Sequence, residues 1–403
     1  MLPRFLAIAA LFFSVSSCSE NLDSSGVCAV LCTQIGGDVQ NVTLDAIVID
    51  TTVQSLSGLG TEPGLLLANR PDTLDTRVVV RFDSLPEKFL PAGDTSQAIA
   101  QVDSAYLRLQ IDTLSIRGNA PVTIEAYDVD TTANDTSTAA VLALFRPDRF
   151  ISSQTFTRAQ LTDTLKYFIA NDVVLSKIQN KLPLRIGLRA TGTGSSQMRI
   201  ISTEGGVPPI MLFRATPDTA TKPLTVTLFS KTPVGQAILA ANLSDYTVIA
   251  KAPPQASPTI LAVGGLPPRR VYFRFNIPSS IIDSSTVVRA TLLLNQLPMP
   301  QVVLAGRVVT DPQKAAQIIA GISADTLTLR PGDAGLVNVE LARAVALWHI
   351  QQPDTLPRAI VLKPVIEGIS PLELRFSSSE DAVAALRPKL RISYTKQVPL
   401  GLP

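Results

Sequence analysis

Residues 78–86 read VVVRFDSLP, and residues 271–278 read VYFRFNIP. Apolar and polar side chains alternate along both stretches, which predicts half-buried β-strands because neighbouring side chains of a strand point to opposite faces. A helical period would instead place an arginine among the phenylalanines. The return of the stretch about half a chain later predicts two copies of one module. The apolar rows are Val78, Val80 and Phe82, and Val271, Phe273 and Phe275; the other rows are Val79, Arg81 and Asp83, and Tyr272, Arg274 and Asn276.

The composition favours an all-β chain with two domains. Its 403 residues suit two domains of roughly 100–200 residues each. Hydrophobic residues make up 46% of the chain but aromatic residues only 5%, so we expect a core of Val, Leu, Ile and Ala. The 30 prolines indicate many turns between short strands. The 35 basic and 33 acidic residues are scattered without basic runs, which argues against a nucleic-acid partner.

The first residues have the layout of a secretory signal. Arg4 is followed by an apolar run at residues 5–13 and by small residues that end in Val15-Ser16-Ser17-Cys18. The apolar run is too short for a spanning helix, which needs roughly 20 residues. Residues 15–18 resemble a bacterial lipobox, and this resemblance implies that Cys18 carries a lipid. Because Ser19 is not aspartate, the expected location is the outer membrane or the cell surface. The alternative is an ordinary cleaved signal with Cys18 free.

Two further cysteines, Cys28 and Cys32, precede the strand-rich part of the chain. In an exported chain this even remainder suggests a disulfide, and two idle thiols are the alternative. Metal binding is not predicted, because two cysteines and one distant histidine make an incomplete tetrahedral site.

Pattern and composition divide the chain into five segments. We predict a signal peptide at 1–17, a lipidated tether at 18–41, a first β-sandwich at 42–215, a linker at 216–223 and a second β-sandwich at 224–397. Two helices are predicted, at 171–179 and 338–350; in the second, Leu341, Val345 and Trp348 share one face. The predicted strands are 42–50, 65–67, 77–83, 104–112, 122–129, 184–190, 197–202, 209–214, 224–230, 246–250, 270–276, 289–295, 302–310, 327–330, 359–365, 372–377 and 388–395.

Two other stretches also occur once in each copy. Residues 105–109 read AYLRL, where residues 290–294 read ATLLL. Residues 199–204 read RIISTE, where residues 375–380 read RFSSSE, so that Glu204 and Glu380 end matching serine-containing turns. Repeats this long indicate tandem domains, since solenoid repeats are only about 20–50 residues long.

These landmarks resemble the DNRLRE-type domain, a β-sandwich module of secreted and surface-attached proteins that is related to carbohydrate-binding modules. The second copy carries the resemblance through Arg274-Phe275, residues 290–294, the tryptophan segment 339–348 and Ser377 to Glu380. The first copy lacks the tryptophan helix. The resemblance implies two jelly-roll-like sandwiches with one or two short helices, an extracellular role and glycan binding, and it does not imply an enzyme.

Catalytic patterns are scarce in this sequence. The single histidine, His349, follows Trp348, and a structural role suits it better than that of a catalytic base. No phosphate loop, HExxH string or CxxC pair occurs, and no cofactor is predicted. For Glu204 and Glu380 we favour a structural role, as partners of Arg81, Arg274 or turn amides, over binding of sugar hydroxyls or a cation. An oxygen-rich loop that could hold calcium is better explained as solvated; its residues are Asp128, Asp130, Asn134 and Asp135.

The candidate ligand-binding residues form two rows on the predicted strands. Sugar recognition combines an aromatic ring with planar hydrogen-bonding groups, and each row contains both. If the rows face solvent, they form binding platforms; if a loop covers them, they are ordinary packing. The rows are Tyr272, Arg274 and Asn276 in the second copy and Tyr106, Arg108 and Gln110 in the first.

The sequence thus favours a non-catalytic lipoprotein of the bacterial envelope that is held at the membrane by its lipid and acts as a surface binding or adhesion module for polysaccharides. One alternative is a structural protein that binds protein partners through its sheets. Another is a glycoside-active enzyme with paired carboxylates.

Overall fold

A computed structural model describes residues 38–55, 60–71, 73–82, 85–89, 97–130, 137–216, 224–229, 244–254, 256–257, 259–298, 311–317, 323–330, 333–350 and 358–396. Strands dominate these residues and form two sheets of eleven strands each. The structure therefore confirms the all-β prediction, and each sheet folds around its own apolar core.

The first sheet lies between Gly64 and Lys251 in sequence. Its strands are β3 (Gly64–Arg70), β4 (Leu74–Phe82), β7 (Gln101–Arg117), β8 (Val122–Asp128), β9 (Phe150–Phe156), β10 (Thr164–Ile169), β11 (Leu184–Thr191), β12 (Ser196–Ile201), β13 (Ile210–Thr216), β14 (Leu224–Phe229) and β15 (Asp245–Lys251). Their order in the sheet is β14-β13-β7-β12-β3-β4-β11-β8-β9, with β10 beside β7 and β15 beside β4. A small separate hairpin joins β5 (Lys88–Phe89) and β6 (Gln97–Ala98).

The strands of the second sheet are β1 (Gln40–Leu44), β2 (Ile47–Gln54), β16 (Ile260–Gly264), β17 (Arg269–Phe275), β18 (Ser285–Leu297), β19 (Asp311–Gln317), β20 (Ser323–Leu329), β21 (Gly335–Glu340), β22 (Ala359–Pro364), β23 (Glu373–Ser377) and β24 (Lys389–Lys396). Their order in the sheet is β1-β24-β18-β23-β16-β17-β22-β19-β20, with β21 beside β18 and β2 beside β17.

The two sheets correspond strand for strand, and two strands of each come from the other half of the repeat. β1 and β2 lie at the start of the first copy in sequence but pair with β24 and β17 of the second. β14 and β15 lie at the start of the second copy but pair with β13 and β4 of the first. We refer to β1, β2, β14 and β15 as the exchanged strands. Strand pairing therefore crosses the predicted domain limits of 42–215 and 224–397 in both directions.

A short repeated motif anchors the exchanged strands. β2 contains Asp50-Thr51-Thr52-Val53, and β15 contains Asp245-Tyr246-Thr247-Val248. The register is the same in both copies, because Thr52 lies opposite Val271 and Thr247 lies opposite Val78, its counterpart. The Ala262 N–H donates to Thr52 Oγ1 at 2.9 Å, and the Leu66 N–H donates to Thr247 Oγ1 at 3.0 Å. Each threonine thus joins its strand to the neighbouring strand β16 or β3.

Four short helices lie between the strands of the described part of the chain. They are α1 (Thr138–Leu142), α2 (Asn171–Gln179), α3 (Ser279–Ile282) and α4 (Ala342–Ile350). The helix predicted at 171–179 is confirmed. The helix predicted at 338–350 is wrong for its first residues, because Asn338 and Val339 belong to β21 and pair with Leu293 and Leu292 of β18. Pairing with a strand far away in sequence therefore makes these residues part of a strand rather than of a helix.

The two cores are almost entirely aliphatic, as the composition predicts. In the second core Trp348 is 5% exposed, and its ring lies 5.7 Å from that of Phe275. Leu341 and Val345 are buried beside it, which confirms the predicted apolar face. A smaller cluster joins the two sandwiches, because Leu266 of the second packs against Leu66, Ala68 and Leu74 of the first.

Several strand predictions differ from the structure. Residues 42–50 form parts of two strands rather than one, and β5, β6, β9, β10, β16 and β19 were not predicted. β4 is not half-buried, since Val79 is 1% exposed and Arg81 is 0% exposed. Val79 packs in a cluster with residues of α1 and β15, so the second face of the strand is covered as well. The signal peptide, most of the tether, linker residues 217–223 and the strand predicted at 302–310 lie outside the described residues. None of the helices in the described ranges has the length and apolar character needed to cross a membrane.

The exchange of strands makes the two threonines a matched pair for a stability test. Replacing Thr52 by valine leaves the buried Ala262 N–H without its acceptor, so we expect the second sandwich to lose about 1–3 kcal/mol. Trp348, the one tryptophan of the chain, lies in the second core, so its fluorescence reports the unfolding of this sandwich. Its fluorescence should show a lower urea midpoint in Thr52→Val and an unchanged one in Thr247→Val, whereas hydrogen exchange in β3 should increase only in Thr247→Val. Equal effects of the two variants on the Trp348 transition would contradict the exchange.

Candidate functional site

The predicted row of the first copy lies on the outward face of β7. Its three residues alternate with Ala105, Leu107 and Leu109, which are at most 2% exposed. Arg108 is exposed, whereas Tyr106 and Gln110 are half-buried. The row therefore faces out of the sandwich and not into its core.

Strand β10 lies beside β7 and extends this face. Phe168 is opposite Tyr106, Lys166 is opposite Arg108 and Thr164 is opposite Gln110. Because residues opposite each other on paired strands share a face, the three β10 side chains join the β7 row. We refer to these six residues, Tyr106, Arg108, Gln110, Thr164, Lys166 and Phe168, as the aromatic-cationic face.

The exposed ring of this face belongs to Phe168, which is 57% exposed. Its ring centroid lies 6.2 Å from that of Tyr106 at a tilted angle. Lys166 Nζ lies 5.5 Å from the Tyr106 ring centroid, so an ammonium group already occupies the neighbourhood of that ring. Phe168, rather than the predicted Tyr106, therefore offers the aromatic surface that a ligand could cover.

The backbone behind Phe168 is held in place by β9. The Gln154 side chain donates to the Phe168 carbonyl at 2.8 Å and accepts from its N–H at 3.2 Å. Ser152 Oγ donates to the same carbonyl at 3.0 Å. These bonds satisfy the outer edge of β10 at this residue, which blunts strand addition and fixes the position of the exposed ring.

The predicted row of the second copy lies on β17 and is less open at its aromatic residue. Arg274 and Asn276 are exposed, but Tyr272 is half-buried between Thr51 of β2 and Val361 of β22. Next to it, Arg270 binds Glu367 through two nitrogens at 2.8 and 2.6 Å. Hydrogen bonding to Glu367, with a smaller contribution from Tyr272, raises the pKa of Arg270. Tyr272 thus belongs in part to a structural ion-pair cluster.

The equivalent face of the first sandwich is covered. Val79, Tyr246 and Val248 on β4 and β15 are at most 2% exposed, because α1 and the residues after it pack over them. Phe145, which follows α1, fits against Gly187, where a Cβ atom would lie 2.5 Å from the ring. The position that matches Gly187 in the second copy is Val361, since both pair with the matching residues Val79 and Tyr272.

The repeated serine-glutamate turns are held by the exchanged strands. Thr203 donates to Asp245 from its N–H at 3.0 Å and from its hydroxyl at 2.7 Å. In the second copy the N–H and the hydroxyl of Ser379 each donate to Asp50 at 2.6 Å. The anchoring side chain of each turn is thus an aspartate of the exchanged strand, and the structural role expected for Glu204 and Glu380 stays a prediction.

Three carboxyl groups meet at the turn of the first copy. Burial raises the pKa of Glu204 to about 7, and a hydrogen bond to Asp245 and the nearby Glu62 add to this. Burial also raises the pKa of Glu62, whose side chain accepts from the N–H groups of Gly60 and Thr61 at 3.1 Å. Asp245 and Glu62 are thus committed to turns, and Glu204 is the member that exchanges its proton near neutral pH.

The oxygen-rich loop contains an ion-pair cluster. Lys177 Nζ lies 2.9 Å from Asp128 and 3.3 Å from Asp130, and Arg185 lies 3.6 Å from Asp130. Arg149 donates to the backbone carbonyls of Asp128 and Asp130. These aspartates are neutralised by cations rather than solvated, and Asn134 and Asp135 lie outside the described residues. Within the described ranges, no group of three or more metal-binding side chains occurs.

His349 makes a backbone contact between two helices. His349 Nδ1 lies 2.7 Å from the carbonyl oxygen of Ile282, so it joins α4 to α3 and has a structural role. Cys18, Cys28 and Cys32 lie outside the described residues, so the lipid and the disulfide stay predictions. A small cavity in the second core is lined only by apolar side chains, among them Val263, Leu294 and Phe376.

Comparison of the chain with protein-family models and with curated proteins finds no match. The resemblance to the DNRLRE-type domain therefore stays a prediction, and the argument for function depends on the geometry of the faces.

Phe168 and Lys166 are absent from the predicted site residues because no strand is predicted between residues 129 and 184. The signal was present: residues 164–169 read TLKYFI, and Leu165, Tyr167 and Ile169 are buried while the residues between them are exposed. This is the alternation of a half-buried strand. The repeated Asp-x-Thr-Val motif was also visible in the sequence, but nothing in it showed that the strands are exchanged.

The raised pKa of Glu204 predicts a pH dependence of stability. The folded chain holds this proton more tightly than the unfolded chain, so Glu204 makes stability fall as pH rises from about 4.5 to about 7. Glu204→Gln, which mimics the protonated side chain, should unfold at a similar temperature to the native chain at pH 4.5 and at a higher one at pH 8. Thermal unfolding by calorimetry measures both, and Glu380→Gln, in the matching exposed turn, is the control. If the difference in unfolding temperature between Glu204→Gln and the native chain is the same at pH 4.5 and at pH 8, the burial of this carboxyl group is contradicted.

Proposed function

We propose that the protein is a non-catalytic binding module of the bacterial envelope, and that its first sandwich binds glycans on the aromatic-cationic face. The observation that carries this proposal is the exposure of Phe168 on the outward face of paired strands, with hydrogen-bonding side chains beside it in register. An aromatic ring covers the apolar face of a sugar, while planar side chains such as Arg108 and Gln110 bind its hydroxyl groups.

The face also has the rigidity that such binding needs. β7 is hydrogen-bonded on both sides, by β13 and by β10, and the outer edge of β10 is held by Gln154 at Phe168. A surface that is ordered before the ligand arrives loses little conformational entropy on binding.

The proposed location rests on the first residues of the chain. The signal-like layout before Cys18, and the small residues next to it, support export and lipid attachment at the outer membrane or the cell surface. A lipid at Cys18 would leave the sandwiches beyond the membrane, with residues 19–39 as a spacer before β1.

Lipid attachment is tested by metabolic labelling with a radioactive fatty acid in a bacterial host. The native chain should become labelled, whereas Cys18→Ser should stay unlabelled because the thiol that accepts the lipid is gone. Cys28→Ser, which keeps Cys18, is the control and should be labelled normally. Equal labelling of the native chain and Cys18→Ser would refute the lipoprotein proposal.

Glycan binding is tested with the full chain, purified in detergent, on an array of polysaccharides. Phe168→Ala should bind about tenfold more weakly, since it removes the ring that covers the sugar. Phe150→Ala is the matched control: Phe150 is 46% exposed, but its ring lies against Tyr127, in the cluster covered by α1. Retention by no polysaccharide, or equal binding of Phe168→Ala and the native chain, would count against the proposal.

A second candidate is binding of a protein partner by the outward face of β2 and β17. Ile49 is 48% exposed and Val53 is 45% exposed, although the matching residues of the first sandwich, Ser244 and Val248, are at most 2% exposed. The connection that carries α1 in the first copy runs from 129 to 149, whereas only residues 318–322 join β19 to β20. An apolar segment of a partner would suit this face. Absence of all glycan binding by the native chain would favour this candidate.

A further inference from the structure

Exposed cations surround the exposed ring of the aromatic-cationic face. Lys166 and Arg108 are opposite each other on β10 and β7, and Arg214 on β13 lies opposite Ser104, two residues from Tyr106. All three cations are exposed. Among the residues that the structure describes, none of the three makes an ion pair with a carboxylate, and Lys166 lies over the Tyr106 ring in a cation–π contact.

The pairing of Lys166 with Arg108 is unfavourable in the absence of an anion. Side chains directly opposite each other on antiparallel strands lie about 4.5–5.5 Å apart at Cβ, and like charges at such positions repel. Some arginines on sheet surfaces elsewhere are paired with carboxylates, as Arg289 is with Glu340 at 2.7 Å and Arg77 is with Asp75 at 3.0 Å. Arg108 instead faces a second cation, and this pair lies beside the exposed ring of Phe168.

Carboxylates on this side of the sandwich lie at the ends of the face. Asp103 accepts from Thr216 Oγ1 at 2.6 Å and from Gln101 Nε2 at 2.8 Å, so its oxygens are engaged at one end. Asp163 precedes β10 at the other end, and its carbonyl accepts from the Ile111 N–H. The centre of the face thus combines an apolar ring with positive charge.

We propose, on the basis of the glycan-binding function above, that the ligand is an acidic polysaccharide built from uronic acids. The apolar face of one sugar ring covers Phe168, and the carboxylate of the same or a neighbouring sugar lies between Arg108 and Lys166. A guanidinium and an ammonium group bind a carboxylate by charge-assisted hydrogen bonds, and this relieves the repulsion between them. Gln110 and Thr164, opposite each other at the next position, are placed to bind hydroxyl groups of the following sugar.

The experiment compares two forms of one polymer. Polygalacturonate and its highly methyl-esterified form share a backbone and differ in the free carboxylate, and the full chain in detergent is titrated with each. We expect at least about tenfold tighter binding of polygalacturonate, weakening as salt rises from 50 to about 300 mM. Arg108→Gln combined with Lys166→Gln should remove this preference, whereas Arg391→Gln, an exposed arginine of β24 in the other sheet, should keep it.

The outcomes separate this inference from the proposed function. Equal binding of both polymers by the native chain, with loss in Phe168→Ala, would keep glycan binding but overturn the acidic ligand. Binding of neither polymer, nor of alginate or hyaluronan, would overturn the acidic ligand, and neutral polysaccharides would then decide the function. Tighter binding of polyphosphate or of phosphatidylglycerol vesicles than of polygalacturonate would also overturn it, because it would show attraction to phosphate rather than recognition of a carboxylated sugar.

Discussion

The exchanged strands are the constraint on which the rest of the structure depends. The bonds from Ser379 to Asp50 join residues 329 positions apart, whereas those from Thr203 to Asp245 span only 42. The first sandwich is therefore complete once residue 251 has been synthesised. The second requires both the first and the last strands of the chain, since β1 pairs with β24. Such non-local pairing slows folding, and each sandwich contains strands from both halves of the repeat.

Within this shared framework the two sandwiches have diverged at their surfaces. In the first, a longer connection supplies α1, and Gly187 leaves room for Phe145 over the face of β4. In the second, the connection is short, Val361 replaces the glycine, and the matching face carries Tyr272, Arg274 and exposed aliphatic side chains. A repeated strand can thus be a buried framework element in one copy and a surface strand in the other. Arg81 and Arg274, the same position of the repeat, are fully buried and exposed respectively.

The candidate residues that could be predicted are those whose exposure depends on a single strand. The alternation of Tyr106, Arg108 and Gln110 with buried aliphatic residues is a local property of one strand, and the structure agrees with it. Phe168 and Lys166 also alternate locally, but their importance arises from their register with β7, which is a pairing between segments about 60 residues apart. The burial of Val79 could not be predicted from VVVRF, because its cover comes from α1 and the residues after it.

The sequence by itself determined the all-β class, the existence of two copies, the aliphatic cores and the packing of Trp348. These properties follow from side-chain alternation and composition, which act over a few residues. Tertiary structure alone decided which sandwich contains β1, β2, β14 and β15, and which sheet faces are exposed to solvent. Both depend on pairing between distant segments: Asp50 and Asp245 have the same neighbours in sequence pattern, and only the path of the chain sends each of them to the turn of the other copy.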